Sequence, residues 1–236
     1  EKPGTYTNSN RQIQLAMPVR KPPGMAMQDW ELIVKIANKC GQNWDYRSIG
    51  DVYTEMATNM KSLDNISWER LLKEEAVCYP AKSKNKPGEE IIFYDGFPTK
   101  DGKAKLVPSN LIPPNETIDE KYPLILTTGR LLEHWHTGIM TRHAKHLNVQ
   151  EPRAIVSMHP DDIKKLGFSK GQLVKVKTRR GEIVLNIRLD NDLKPGMIFI
   201  PFCFNEAPAN ILTSSQLDPY GKIPEFKYSA ARVEEI

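Results

Sequence analysis

The stretch "QLVKVKTRRGEIVLNIRL", residues 172–189, contains two alternating apolar and polar runs separated by a short turn. This period of two is typical of β-strands with one buried face. In the second run the alternation places Ile183, Leu185, Ile187 and Leu189 on the same face. We expect Gly181 to supply the positive φ that a tight turn favours. The stretch therefore predicts a β-hairpin in the C-terminal half of the chain.

Further short apolar runs surround this hairpin. They are "LILTT" (124–128), "AIVSM" (154–158), "GMIFIPF" (196–202) and "KYSAARVEE" (227–235). Between the second run and the hairpin, Pro160 suits the first position of a short helix and Gly167 suits its C-terminal end. A second short helix is expected at "NEAPANIL" (205–212). About six short strands with little helix favour a closed barrel.

The N-terminal part follows a different pattern, with three helical periodicities. They are "DWELIVKIANKCG" (29–41), "SIGDVYTEMATNM" (48–60) and "SWERLLKEE" (67–75). We expect Asp29 and Ser67 to cap the first and third of these helices. Pro, Asn and Lys then become frequent, which favours an extended connector. The sequence thus predicts a helical segment at 1–78, a connector at 79–121 and the barrel at 122–236.

Composition limits the function classes. The 236 residues carry a formal net charge of only +4, which argues against a nucleic-acid partner. No apolar run approaches the roughly 18 residues of a membrane span. The three cysteines, Cys40, Cys78 and Cys203, lack the spacing of a zinc or iron-sulfur site. We therefore expect reduced thiols, a cytoplasmic location, no membrane insertion and no zinc or iron-sulfur site in this chain.

The densest group of polar and aromatic residues is "TTGRLLEHWHTGIMTRH" (127–143), directly after the first barrel strand. Gly129 and Arg130 at the end of that strand could bind a phosphate through backbone N–H groups and a guanidinium. His134, His136 and Thr137 would add donors. Alternatively, the histidines are structural and the arginine is a solvated rim residue. A His-x-His metal pair is the third interpretation, but no third ligand is evident.

Four ordered motifs extend this interpretation: "EKPGTYTNSNRQIQ" (1–14), "YPLILTTGR" (122–130), "HWHTGIMTR" (134–142) and "LTSSQLDPYGKIPEFKYSAARVE" (212–234). Together they resemble the C-terminal part of the catalytic subunit of molybdenum- or tungsten-dependent formate dehydrogenases, of the dimethyl-sulfoxide-reductase superfamily. The resemblance implies a six-stranded double-psi β-barrel. It also implies that residues 1–78 complete an α/β domain that cradles the cofactor.

The implied cofactor is bis(molybdopterin guanine dinucleotide) with molybdenum or tungsten. The resemblance assigns its binding to Thr128, Gly129, Arg130, His134, His136, Thr137, Asn210, Phe226 and Lys227. Asp218 is a further candidate for guanine, although a turn residue is the simpler interpretation. Asn8 and Arg11 would line the domain interface or belong to a surface loop.

The implied activity is two-electron oxidation of formate to carbon dioxide. In the resembling enzymes the metal ligand and the iron-sulfur cysteines lie in an N-terminal portion, so we expect no catalytic residue in this chain. The expected partners are that portion, in the same or a separate polypeptide, and an iron-sulfur electron-transfer subunit. A nitrate reductase of the same superfamily and a non-catalytic nucleotide- or partner-binding barrel remain as alternatives.

Overall fold

The computed structural model describes residues 1–236, which divide into two compact units, Glu1–Pro108 and Ser109–Ile236. The division falls inside the predicted connector, and no helix or strand is present between Cys78 and Leu124. No helix in either unit has both the length and the apolar character needed to cross a bilayer.

The first unit combines three helices with a small antiparallel sheet. The helices are α1 (Asp29–Lys39), α2 (Ile49–Asn59) and α3 (Trp68–Glu74), and the strands, in the order β1-β2-β3, are β1 (Gly4–Thr7), β2 (Gln12–Ala16) and β3 (Ala76–Cys78). Ile13, Tyr53, Ile66 and Leu71 form the centre of its core. All three helices were predicted, whereas the sheet was not.

The helix starts show how local chemistry sets the boundaries. Ser67 caps α3, because its hydroxyl accepts a hydrogen bond from the N–H of Arg70 at 3.2 Å, as predicted. The prediction for Asp29 was wrong by one residue. Gln28 has the extended cap conformation, and its N–H donates to the carboxylate of Glu31 at 3.2 Å, so Asp29 is the first helical residue.

The second unit is a closed barrel of six strands. They are β4 (Leu124–Gly129), β5 (Ile155–Met158), β6 (Leu173–Thr178), β7 (Glu182–Leu189), β8 (Met197–Pro201) and β9 (Ser229–Glu234), in the order β4-β8-β5-β7-β6-β9. The β4–β8 and β5–β7 pairs are parallel and the other pairs are antiparallel. This mixed closed barrel confirms the predicted fold class.

The predicted hairpin is β6–β7, with Val176 opposite Ile183. Ile183, Leu185 and Ile187 are buried as expected, while Leu189, at the strand end, is 38% exposed. The expectation for Gly181 was wrong, since it is not among the residues with positive φ. Glycine is needed there because a Cβ would lie 2.4 Å from Cγ2 of Ile211.

Two helices complete the barrel unit. The predicted helix is α5 (Pro160–Lys165), with Pro160 first and Gly167 following its end at φ +75°. The helix α4 (Lys145–Gln150) was not predicted. The expected helix at 205–212 is a single 3-10 turn, Ala209–Ile211. Val156, Val174, Val176, Ile198 and Ile200 are fully buried and form the centre of the barrel core.

Candidate cofactor site

The candidate site lies where two parallel strands end. Gly129 ends β4 and is paired with Pro201, which ends β8. Parallel strands present their carboxyl ends at the same edge, so the chain leaves both strands on one side of the barrel. The N–H of Phe202 donates to the carbonyl of Gly129 at 3.1 Å and holds the two exits together.

A cavity of about 680 Å³ opens beside these strand ends. Eight of the nine predicted cofactor-binding residues line it, and Phe202 is the only additional lining residue. The eight are Thr128, Gly129, Arg130, His136, Thr137, Asn210, Phe226 and Lys227. They come from four separate parts of the sequence, and the fold brings these parts together at one cavity.

Two hydrogen bonds join the Phe226–Lys227 segment to Thr128 of β4. The Lys227 ammonium donates to the carbonyl of Thr128 at 2.6 Å, and the Thr128 hydroxyl donates to the carbonyl of Phe226 at 2.8 Å. These two bonds run in opposite directions between the same segments. They fix the ammonium at the cavity wall, where an exposed lysine would otherwise move freely.

The position of Gly129 has no space for a side chain beside the Phe199 ring. A Cβ at this position would lie 2.6 Å from Cε2 of Phe199 and 3.7 Å from Nζ of Lys227. The first distance is too short for carbon atoms in contact. The absent side chain therefore makes room for the Phe199 ring, while Gly129 itself is one of the residues that line the cavity.

The loop after β4 supplies His136 and Thr137. His136 has a φ of +49°, and Gly138 has a φ of +77°. A Cβ on Gly138 would lie 2.4 Å from the carbonyl oxygen of Cys203, so this loop packs tightly on the chain that follows β8. The His136 ring lies 6.4 Å from the ring of Phe202, and both rings line the cavity.

His134 is the one predicted residue that the structure does not bring to the cavity. Its side chain is 1% exposed, and Nε2 lies 2.8 Å from the carbonyl of Glu151. Since a carbonyl only accepts, Nε2 donates this bond. Nδ1 lies 3.2 Å from the hydroxyl of Thr141, and the oxygen of that hydroxyl accepts from the N–H of Trp135 at 3.0 Å. His134 thus supports the loop from within.

Phe202 was missed in the sequence because its position depends on strand pairing. It directly follows the apolar run of β8, and nothing in that run indicates that β8 lies parallel to β4. An aromatic residue immediately after a strand was the only available signal. With Phe226, it provides an apolar face in a cavity whose other side chains are mostly polar.

Asp218 has a structural role in a turn. Its carboxylate accepts from the N–H groups of Tyr220, Gly221 and Ile223 at 2.9, 2.7 and 2.6 Å. The bond from Ile223 is the main cause that lowers the pKa of Asp218. This agrees with the turn interpretation, and Asp218 does not line the cavity.

Asn8 and Arg11 belong to the β1–β2 turn of the first unit. The Asn8 side chain accepts from the N–H of Gln12 at 3.0 Å. The Arg11 guanidinium donates to the carbonyls of Tyr79 and Glu90. Both side chains therefore stabilise their own unit.

The cavity favours an anion with a planar part. Arg130 and Lys227 contribute two positive charges, and no carboxylate lines the cavity. A cation pair without a competing anion suits phosphate oxygens. Asn210 both donates and accepts hydrogen bonds, and the rings of Phe202 and Phe226 offer apolar faces. A phosphate-bearing heterocycle fits this set of donors.

Comparisons with known proteins agree with this chemistry. Residues 124–230 match the family described as molydopterin dinucleotide binding domain. Over its full length the chain is 40% identical to the F420-dependent formate dehydrogenase subunit alpha of Methanocaldococcus jannaschii and 38% identical to the F420-dependent formate dehydrogenase 1 subunit alpha of Methanococcus maripaludis. The chain spans 35% of the length of each.

A solved structure supports the fold independently. Acetylene hydratase from Pelobacter acetylenicus matches with a TM-score of 0.75 and 20% identity, over 100% of this chain and 37% of that one. Barrel, cavity and family match together define residues 124–230 as a molydopterin dinucleotide-binding domain. Over its whole length the chain is similar to formate dehydrogenase alpha subunits and aligns with a portion of them.

Proposed function

We propose that this chain is the cofactor-binding portion of a molybdenum- or tungsten-dependent formate dehydrogenase, and that its cavity binds the guanine dinucleotide part of a bis(molybdopterin guanine dinucleotide) cofactor. One observation carries the proposal. Eight of the nine residues that the family resemblance assigns to the cofactor line a single cavity that contains two cations and no carboxylate. The two F420-dependent formate dehydrogenase relatives support the choice of formate as substrate.

Each lining residue has a role that its chemistry suits. Arg130 and Lys227 neutralise the pyrophosphate, since a guanidinium can bind two oxygens at once and an ammonium acts as a point charge. Asn210 hydrogen-bonds a heterocycle edge, and Thr137 and His136 add donors. The bound cofactor supplies the metal centre that accepts two electrons from formate.

The chain's own share of the reaction is positional and electrostatic. It holds and orients the cofactor and keeps water from its charged part, while no residue of this chain exchanges a proton with formate. The structure brings no three His, Cys, Asp or Glu side chains together as a metal site. We assign the metal ligand and the iron-sulfur clusters to the remaining part of the alpha subunit and to an iron-sulfur electron-transfer partner.

A cytoplasmic location is part of the same proposal. The three cysteines are free, with Cys40 exposed and Cys203 buried. Unpaired thiols are common in reducing compartments.

The decisive experiment compares Arg130→Ala with Arg153→Ala in the complete enzyme. Both changes remove one positive charge from an exposed arginine, but only Arg130 lines the cavity. Pterin, guanine nucleotide and metal contents are measured with the melting temperature. We expect Arg130→Ala to lower all three contents while the enzyme stays folded, with a melting temperature reduced only by the loss of bound cofactor, and Arg153→Ala to retain all three contents.

Equal cofactor content in the two variants would contradict the proposed cavity. Dye reduction by the wild-type enzyme tests the substrate separately. Electron transfer from formate to the dye supports a formate dehydrogenase, and oxidation of a reduced dye by nitrate alone would show the nitrate reductase alternative.

A further inference from the structure

A partly buried carboxylate, that of Glu116, lies outside the cavity yet bonds to several elements around it. Glu116 precedes the first barrel strand, and its side chain is 14% exposed. Its two oxygens accept from Arg180 at 2.8 and 2.9 Å, which is the bidentate geometry of a strong pair. One of these oxygens also accepts from the N–H of Ala230 at 2.6 Å. Glu116 therefore links the β6–β7 turn to β9.

Through Arg180 the link reaches the segment that carries Asn210. The Nε of Arg180 donates to the carbonyl of Leu212 at 3.1 Å, two residues beyond Asn210. The turn residue Gly181 packs so closely on Ile211 that any Cβ there would have to displace the Ile211 side chain. Arg180 and Gly181 thus hold the 3-10 turn from one side, while Asn210 lines the cavity on the other.

Asn115 and Glu116 also hold the segment that carries Phe226 and Lys227. Ala230, which donates to Glu116, lies three residues after Lys227. On the other side of this pair, the N–H of Asn115 donates to the carboxylate of Glu225 at 3.2 Å. Consecutive residues, Asn115 and Glu116, therefore hold both ends of the 225–230 segment.

We propose that Glu116 and Arg180 form a positioning brace that sets the places of Asn210 and Lys227 in the cavity and so controls affinity for the nucleotide part of the cofactor. The proposal rests on the function proposed above. Neither residue lines the cavity, so both act through the backbone of Leu212 and Ala230. Supporting residues of this kind keep binding groups within the narrow geometry that tight binding needs.

The chain contains a matched control next to the brace. Arg179 also pairs with Glu116, at 3.1 Å, and with Asp119 at 2.6 Å. It makes no bond to Leu212, and its guanidinium lies over the ring of Tyr122 at 4.9 Å. Removing either arginine therefore costs one charge and an ion pair with Glu116, and Arg179→Gln costs the Asp119 pair as well. Only Arg180→Gln removes the bond to Leu212 that holds the turn carrying Asn210.

The experiment uses the full chain with GDP as the probe and compares wild type, Arg180→Gln, Arg179→Gln and Lys227→Ala. Calorimetry gives the dissociation constants, and thermal unfolding gives the stabilities. Amide hydrogen exchange in residues 209–212 and 225–230 reports local order without any ligand. We expect Arg180→Gln to weaken GDP binding roughly tenfold, as loss of a supporting residue commonly does, and to speed exchange in both segments.

The control variants show whether a negative result contradicts the brace or the proposed cofactor-binding function. If Arg180→Gln and Arg179→Gln lose affinity equally, in step with their loss of melting temperature, the pair is merely structural and the inference fails. If Lys227→Ala abolishes binding while Arg180→Gln binds like wild type, the inference fails and the cavity assignment stands. If wild type does not bind GDP, that assignment fails for this probe. The exchange data then decide, since equal exchange in the two arginine variants would refute the brace.

Discussion

Gly129 shows how one position joins the fold to the site. As the last residue of β4 it pairs with Pro201, and as a cavity residue it lies near the Lys227 ammonium. The absence of a side chain allows this position, because a Cβ would collide with Phe199 on the neighbouring parallel strand β8. Glycine at this place in the motif therefore reflects a steric limit, in addition to the proposed contact with the cofactor.

We expect Gly129→Ala to destabilise the barrel by about 1–3 kcal/mol, since a methyl group must displace the Phe199 ring in a packed site. Chemical unfolding measures this loss. Gly4→Ala is the control, because the nearest atom to its added Cβ is 4.0 Å away and its φ is not positive. If Gly129→Ala is as stable as that control, the close packing at the strand end is not limiting.

The cysteines should differ sharply in reactivity. Burial raises the pKa of the Cys203 thiol to about 11, and the side chain is 1% exposed, while Cys40 is exposed. Because the thiolate is the nucleophile, we expect iodoacetamide at pH 8 to modify Cys40 rapidly and Cys203 only after unfolding. Peptide mass spectrometry over a time course identifies the modified residue. Rapid labelling of Cys203 in the native chain would contradict its buried position.

At this scale the residues themselves predicted Gly129, Arg130, His136 and Thr137, because these lie at or just after a strand end, whereas Thr128 and Asn210 were predicted only through the family resemblance. Arg130 was found as a cation after an apolar run, and Phe226 and Lys227 were found only through the family resemblance. Phe202 was missed, since its relevance depends on β8 lying parallel to β4. His134 shares a motif with His136, but residues so close in sequence can face opposite sides of a loop, and His134 lies in the interior.

The strands of the barrel were predictable as elements, although their partners were not. Alternation identified β6 and β7, and Gly181 marked their turn for a reason other than the expected one. The small sheet of the first unit escaped because its strands have only four, five and three residues, with mixed polarity. Such strands form through pairing between distant segments, for which a single run of residues gives no signal.

A buried residue of β8, Ile198, allows a test of the packing inside the barrel. Ile198 is fully buried, and we expect Ile198→Ala to lower the free energy of unfolding by about 2–5 kcal/mol through lost burial and the remaining cavity. Val184→Ala on β7 is the control, because Val184 is 40% exposed. Urea unfolding of the two variants should separate them clearly, and equal losses would argue against this barrel interior.

In the barrel unit as a whole, ion pairs make stability depend on pH. The pKa of Glu116 lies below its usual range, mainly because its carboxylate accepts hydrogen bonds from the Arg180 guanidinium. The pKa of Asp119 is also lowered, mainly by a hydrogen bond from the N–H of Tyr122. A lowered pKa in the folded state adds stability that is complete above the unfolded pKa of about 4.3 for Glu. This stability is lost as the pH falls through the folded pKa.

We therefore expect the melting temperature of the chain to fall on acidification below about pH 5, and to fall less steeply in Glu116→Gln, because the amide does not titrate. Thermal unfolding between pH 7 and pH 3 measures both slopes. Glu235→Gln is the control, since Glu235 is exposed. Parallel curves for wild type and Glu116→Gln would show that the Glu116 ion pair contributes nothing to acid sensitivity.

The closure of the barrel by β9 has a consequence for biosynthesis. Leu124 at the start of β4 pairs with Ala231, and Val176 of β6 pairs with Val233, so the last strand completes the barrel on both sides. Phe226 and Lys227 leave the ribosome just ahead of that strand, long after Arg130 has emerged. A growing chain therefore has no complete cavity, and the proposed dinucleotide site forms only after β9 has been synthesised.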